Sequence, residues 1–373
     1  MGRGLSASAE QLSSIVACVL NQTRAFSTLT TLPPAPDGLS PLGVDDAAAL
    51  TADALQWVSS SPQDDLPITQ PIGDHLLRSK HVFSIAGGGE LPMAEFQSWG
   101  WEANLIWVTP DHRVLDPAGR LLLDGQGSNP DPLAVIPFPV DARRRQSEAA
   151  MMLRNRMMDP VEGILPVRGE DEIVAISPAE VAGRALALFL VATRAESILS
   201  GQPLDVQRMR ARCPLGWAAM SPQELAFFER RPPQHAGSAA GHSDSANAAA
   251  VLIWRYEALA AMQWALGMQF ELPWPDERAD LTAVTRLMID LPDEAIVEQA
   301  RLRSTAELLG AAELHYQALH AIAFAQQSGH DAAGVVDPGI VCERLAVLAW
   351  ICRLAPGEAD WDATVQWVEN GCV

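Results

Sequence analysis

The pattern of apolar positions changes character along the chain. Between His81 and Leu123 the apolar residues form short β-branched or aromatic runs separated by turn signals. One such signal, Asp116-Pro117-Ala118-Gly119, has proline in its second place and glycine in its fourth, which is typical of a tight turn. These runs predict a small antiparallel meander, and residues 28–140 are therefore predicted to form an α+β domain.

Two helices are predicted around this meander. Residues 1–27 place several apolar side chains on one side of a helix, and residues 46–59 form a second helical segment. Residues 28–46 are rich in proline, glycine and threonine and are predicted to be a loop. Four prolines between Pro130 and Pro139 end the domain.

Helix start and stop signals dominate the chain after Arg143. Capping boxes or a cap residue followed by proline indicate that helices begin at Ser177, Ser221, Ser304 and Asp337. Glycines at 201, 267 and 329 indicate where helices end. Together they predict helices at 178–200, 221–230, 249–266, 292–301, 304–328 and 338–354. We therefore expect an all-α domain over residues 176–373, joined to the first domain by a linker over residues 141–175 that includes a solvated Arg143-Arg144-Arg145.

Several short stretches of the helical half occur in the order typical of one known family. They include Ala182-Gly183-Arg184, Trp254-Arg255-Tyr256-Glu257, Leu272-Pro273-Trp274-Pro275, Glu343-Arg344 and Asp360-Trp361-Asp362. Over residues about 150–367 the chain resembles domain-of-unknown-function family 4272, an uncharacterised and mostly bacterial family. The resemblance implies a cytosolic helical domain and carries no established activity.

The charge of the chain restricts its partners. It has 26 Lys+Arg against 46 Asp+Glu, a formal net charge of −20, and Lys80 is its single lysine. Such acidity disfavours nucleic-acid binding, because phosphate backbones are repelled, and it favours a basic protein partner. With 48% hydrophobic residues the chain has enough apolar material for a sizeable core, which excludes a disordered acidic protein.

Cysteine use and apolar runs indicate the compartment. None of the five cysteines forms a C-x-x-C pair, and the longest apolar run, Ala185 to Ala192, is far too short to span a bilayer. We therefore expect a cytoplasmic protein without membrane association. The oligomeric state stays open.

Five polar residues on the predicted helices are candidates for a ligand pocket: Arg255, Glu257, His320, Glu343 and Arg344. Charges inside such apolar helices need partners, since an unpaired buried charge is costly. The alternative is an interhelical ion-pair network, with His320 as a core histidine. His315 and His320 are five residues apart and form a poor pair for one metal ion, so no metal site is expected. Asp360 is interpreted as a helix cap.

Three tryptophans, Trp99, Trp101 and Trp107, are expected to share one face of the meander, as core residues or as a partner-binding surface. Neither G-x-S-x-G nor H-E-x-x-H occurs, and no cofactor is expected. These observations favour a non-enzymatic acidic binding protein, an adaptor or an immunity-type protein. The alternative is an enzyme or small-molecule-binding protein with its pocket in the helical domain.

Overall fold

A computed structural model of the chain describes residues 22–60, 68–85, 93–126, 128–229, 239–329, 336–357 and 360–372. The chain divides into two compact units, Met1–Val140 and Asp141–Val373. Each unit has hydrophobic clusters of its own. The small antiparallel sheet and the mostly helical remainder confirm the predicted fold class.

Unit 1 is built on one sheet whose strands all pair antiparallel. The strands are β1 (Arg24–Ser27), β2 (Leu39–Pro41), β3 (His81–Ile85), β4 (Leu105–Val108), β5 (Arg113–Leu115) and β6 (Leu121–Asp124). Their order is β2-β3-β1-β4-β5-β6. Three runs of the predicted meander are the neighbouring strands β4, β5 and β6, whereas the first run, His81–Ile85, is β3, which pairs with β1 and β2 and not with β4. The predicted turn between β5 and β6 is present, with Gly119 at φ +82°.

Helices cover both faces of the sheet, because successive strand residues point to opposite sides. Phe26 and Ile106 pack with α1 (Val44–Ser59) and α2 (Thr69–Arg78). Their neighbours Ala25 and Trp107 pack with α3 (Met93–Glu102) on the other face. The exposed Lys80 lies between α2 and β3.

Two predictions for unit 1 need correction. The end of the predicted N-terminal helix, residues 24–27, is strand β1, which pairs with both β3 and β4. The part of that helix before residue 22 lies outside the described residues. Strand β2 lies within the predicted loop 28–46. Both strands are held by partners distant in sequence, which local periodicity does not reveal.

Unit 2 is helical. Its α-helices are α4 (Val140–Asn155), α5 (Pro178–Leu199), α6 (Val206–Arg212), α7 (Pro214–Ala218), α8 (Pro222–Glu229), α9 (Ala239–Leu252), α10 (Arg255–Ala265), α11 (Leu281–Ile289), α12 (Asp293–Gln299), α13 (Thr305–Gln327), α14 (Pro338–Ile351) and α15 (Trp361–Glu369). A short 3₁₀ helix, Glu170–Glu172, precedes α5. In the described part of the chain, no helix combines the length and apolarity needed to cross a bilayer.

Local caps set the helix ends in unit 2. The side chains of Ser177, Ser304 and Asp337 accept backbone hydrogen bonds at the starts of α5, α13 and α14. Gly201, Gly267 and Gly329 have φ near +70°, the left-handed conformation that ends a helix. Within this frame, α5 packs against α7, α9 and α10, and α14 packs against α10, α13 and α15.

Two predictions for unit 2 are wrong, and one helix was missed. Residues 141–175 are not simply a linker, because α4 occupies its first part and Arg145, which is 4% exposed, forms ion pairs with Asp141 and Glu170. The predicted helix 249–266 is interrupted, since α9 ends at Leu252 and α10 begins at Arg255. Helix α11, capped by Asp280, was not predicted.

Candidate functional site

The five predicted pocket residues lie on three helices of unit 2. Arg255 and Glu257 are in the first turn of α10, His320 is on α13, and Glu343 and Arg344 are neighbours on α14. Helix α14 packs against both α10 and α13. Four of the five residues meet as two ion pairs.

Glu257 and Arg344 form a buried pair whose hydrogen bonds are largely satisfied. Arg344 Nη2 donates to Glu257 Oε2 over 2.9 Å, and its guanidinium also donates to the backbone oxygens of Pro273 and Glu277. The second oxygen of Glu257 accepts from the backbone N–H of Ala279 at 2.8 Å. The pair therefore fixes the loop between α10 and α11 to α14, which is a structural role.

Arg255 and Glu343 form the second pair, beside a tryptophan. Arg255 Nη1 donates to Glu343 Oε1 over 2.6 Å, and each side chain is 11% exposed. Glu343 Oε2 is sealed and accepts no hydrogen bond from the described residues. Burial raises the pKa of Glu343, and the charge of Arg255 opposes that shift. The pair is thus largely shielded from solvent, and each charge already has one partner of opposite sign.

Trp361, at the start of α15, is close to two guanidinium groups. The ring centroid is 4.6 Å from the guanidinium carbon of Arg184 and 5.9 Å from that of Arg255. Arg184 itself pairs with the buried Glu224. Cation–π contacts and ion pairs together hold α5, α8, α10 and α14 around α15. Asp360 is the N-cap of α15, as the sequence indicates, and accepts from Ala363 N at 2.8 Å.

His320 stands apart from the two ion pairs. Its ring meets Tyr316 edge-on at 4.6 Å, and Nε2 is sealed without a hydrogen-bond partner in the described chain. Desolvation lowers its pKa. His315 is also buried, and its Nδ1 lies 2.8 Å from the backbone oxygen of Ala311. No group of three or more possible metal ligands occurs among the described residues.

The three tryptophans do not share a sheet face, so that prediction is wrong. Trp99 and Trp101 belong to α3, and only Trp107 lies on a strand. Trp99 is 7% exposed and Trp107 is fully buried, because both pack in the cluster between α3 and the sheet. Trp101, at 37% exposed, is the one of the three that a partner could reach.

Sequence reasoning did not identify a cleft beside α4, here called the α4 cleft. Its volume is about 380 Å³, and it is lined by Gln146, Ser147, Ala150, Met151, Arg154, Pro160, Val161, Glu162, Gly163, Ile164 and Gln317. None of the five predicted pocket residues is among them. The sequence provides little indication of this cleft, because most of its polar lining residues are uncharged and α4 was expected to be part of a linker.

A comparison with protein families finds one match in this chain. The family described as "Domain of unknown function (DUF4272)" matches residues 143–364, which is more than half of the chain. The chain belongs to this family. No curated protein and no solved structure matches it.

The DUF4272 region contains both ion pairs and the whole α4 cleft. The three tryptophans lie outside it, in unit 1. The family match therefore covers unit 2 from within α4 to within α15, and unit 1 lies outside it.

Proposed function

We propose that this protein is a non-enzymatic binding protein, of adaptor or immunity type, that neutralises a basic protein partner. The distribution of charge carries the proposal. The buried charged side chains of the described core are six arginines and seven carboxyl groups, so they nearly balance. The formal net charge of −20 therefore lies almost entirely outside that core. Such a field attracts basic partners and speeds their association.

The Glu257–Arg344 pair supports this choice over a pocket built from the same residues. A general acid or base must reach a substrate proton directly or through one water. Both oxygens of Glu257 already accept hydrogen bonds, and Arg344 has no exposed surface. These groups have partners within the protein, which favours a role in stability.

The outer face of α3 is the docking surface that we propose in unit 1. Glu95, Trp101 and Glu102 are exposed, and Glu95 and Glu102 are two turns apart on one side of the helix. An exposed tryptophan on the same helix as these carboxylates suits a basic partner, through a cation–π contact and an ion pair. Unit 1 is also the more acidic part per residue.

Site-specific photo-crosslinking in the native host tests the proposal. A photoreactive amino acid replaces Trp101 in one variant and Phe270, which is 89% exposed in unit 2, in the control variant. We expect a discrete adduct with a basic protein from position 101 only. The purified pair should then bind more weakly at high salt, and Trp101→Ala should weaken it about tenfold or more.

Two results would overturn the proposal. One is the absence of any adduct specific to position 101. The other is an adduct whose binding is insensitive to salt and to Trp101→Ala, since neither the acidic field nor the α3 surface would then contribute. Far-UV circular dichroism of the Trp101→Ala variant provides the check that unit 1 is still folded.

A further inference from the structure

The α4 cleft has the dimensions of a ligand site. Its volume of about 380 Å³ is within the range of pockets that hold small organic molecules. One wall is a face of α4, and the opposite wall is the segment 160–164, which precedes the 3₁₀ helix. Gln146 Nε2 donates to the backbone oxygen of Ile164 at 2.6 Å and thereby ties the two walls together.

The floor of the cleft presents a hydrogen-bond acceptor whose orientation is fixed. Gln317, which is 4% exposed, donates through Nε2 to Glu313 Oε1 at 2.7 Å and to Gln146 O at 3.0 Å. A backbone oxygen can only accept, so the nitrogen of the amide must lie on this side. The amide oxygen of Gln317 accepts no hydrogen bond from a described residue, which leaves it available to the cleft.

Behind this floor, Glu313 holds the amide in place. It has no exposed surface, and its other oxygen accepts from Val167 N at 2.8 Å. Rotating the Gln317 amide would bring two acceptors against each other and would leave buried groups unsatisfied, which is costly. The floor is therefore preorganised as an acceptor.

The rest of the lining adds a cation, an anion and an apolar surface. Arg154, an exposed residue of α4, lines the cleft and forms no ion pair or side-chain hydrogen bond with a described residue. Glu162, on the opposite segment, supplies a carboxylate. Met151, Val161 and Ile164 supply apolar contact, and the sulfur of methionine adapts to varied shapes.

We propose that the α4 cleft binds a small zwitterion of the α-amino acid class with an apolar side chain. The carboxylate of such a ligand matches the guanidinium of Arg154. Its ammonium group donates to the oxygen of Gln317 and to Glu162, and its side chain packs on Met151 and Ile164. The proposal goes beyond the proposed function, because the cleft is in unit 2 and the docking surface on α3 is in unit 1.

Calorimetric titration of the full chain with matched probes tests this assignment. Leucine, methionine and phenylalanine carry both charges, whereas isovalerate lacks the ammonium group and isoamylamine lacks the carboxylate. We expect at least one of the amino acids to bind with a dissociation constant of about 1 mM or tighter. Isovalerate and isoamylamine should each bind about tenfold or more weakly, because each loses a charged hydrogen-bonding group.

Two variants on the same helix locate the site. Arg154→Gln removes the cation of the cleft and should weaken amino-acid binding about tenfold, with thermal unfolding of the free protein unchanged. Arg144→Gln changes an exposed arginine that does not line the cleft and should bind as the wild type does. The proposal is overturned if none of the three amino acids binds, or if Arg154→Gln binds them like Arg144→Gln.

Discussion

Arg344 has no exposed surface and donates hydrogen bonds to Glu257 and to the backbone oxygens of Pro273 and Glu277. Removing it leaves the carboxylate of Glu257 buried without its cation. We expect Arg344→Leu to lower the free energy of unfolding by about 3–5 kcal/mol, as measured by urea denaturation. The double variant Arg344→Leu/Glu257→Leu should recover part of that loss, because no unpaired charge remains.

The exposed pair Arg286–Asp290 is the control for this experiment. Its side chains are 77% and 60% exposed. Replacing Arg286 by leucine should change the free energy of unfolding by less than about 1 kcal/mol. If Arg344→Leu changed the free energy of unfolding as little as Arg286→Leu, the pair with Glu257 would contribute little to the stability of the fold.

His315 makes the stability of unit 2 depend on pH. Burial, together with the nearby charge of Arg344, lowers its pKa to about 4 in the folded protein, and its ordinary value is 6.5. Below pH 6.5 the unfolded chain binds a proton that the folded protein does not. The free energy of unfolding therefore decreases as the pH decreases. The loss is up to about 1.4 kcal/mol per pH unit and stops near pH 4.

The variant His315→Gln isolates this contribution from the carboxyl groups that also titrate. Between pH 6.5 and 4 its free energy of unfolding should fall less steeply than that of the wild type, by urea denaturation followed with circular dichroism. Parallel curves for the two proteins across this interval would show that His315 does not cause the difference.

The roles of single residues could be predicted only in part. The sequence identified Arg255, Glu257, Glu343 and Arg344 as charges in need of partners, and the structure pairs them across α10 and α14. It did not identify Gln317 or Gln146, because an uncharged amide in a sequence gives no sign of what it will contact. Burial of Trp99 was one of the two alternatives, but its place on a helix was not predicted, since that depends on α3 covering the sheet.

At the scale of elements, α5 and α7 approach closely at Gly216. A β-carbon there would lie 2.7 Å from Cys213 Sγ and 2.9 Å from the backbone carbon of Leu186. The backbone of α5 has little room to yield, because the residues around Leu186 are buried. We expect Gly216→Ala to lower the free energy of unfolding by about 1–3 kcal/mol.

Gly310, in the interior of α13, provides the opposite case. Apart from its chain neighbours and the nearby backbone of α13 itself, nothing lies within 4 Å of the position its β-carbon would take. Gly310→Ala should therefore stabilise the protein by about 0.5–1 kcal/mol, since alanine loses less backbone entropy in a helix. Thermal unfolding of the two variants checks both expectations, and a destabilising Gly310→Ala would contradict the second.

Helix boundaries were easier to predict than strands. The predicted helix 304–328 is observed as Thr305–Gln327, because its capping box and its final glycine act within a few residues of the chain. Strand β1 was predicted to be helical, since its place in the sheet depends on Val82, Ile106 and other residues far away in sequence. Local signals determine where a helix ends, whereas strand pairing needs the whole sheet.

At the scale of the molecule, unit 2 has a continuous core that runs from Leu153 on α4 to Val368 on α15. A domain with its own core can fold alone. We expect residues 141–373, produced as a separate chain, to give a helical circular dichroism spectrum and one cooperative unfolding transition. Residues 176–373, which lack α4 and the buried Leu153, should unfold at a lower temperature.

The comparison between these two fragments also tests the extent of the domain. If the shorter fragment were as stable as the longer one, α4 would be dispensable to the fold. The family match begins at residue 143, within α4, which agrees with a contribution of this helix to the domain. The sequence alone suggested a linker there, because the three consecutive arginines hid the burial of Arg145.

Lys80 is the single lysine of the chain, and it is exposed between α2 and β3. Carbodiimide reagents join a carboxylate to an amine without leaving a spacer. With 46 carboxyl side chains and one lysine amine, this protein can form few such links within itself. A basic partner rich in lysine would supply the amines that this protein lacks. Zero-length amide bonds that involve a carboxylate of this protein, found by mass spectrometry, would then report almost entirely on contacts between the two proteins.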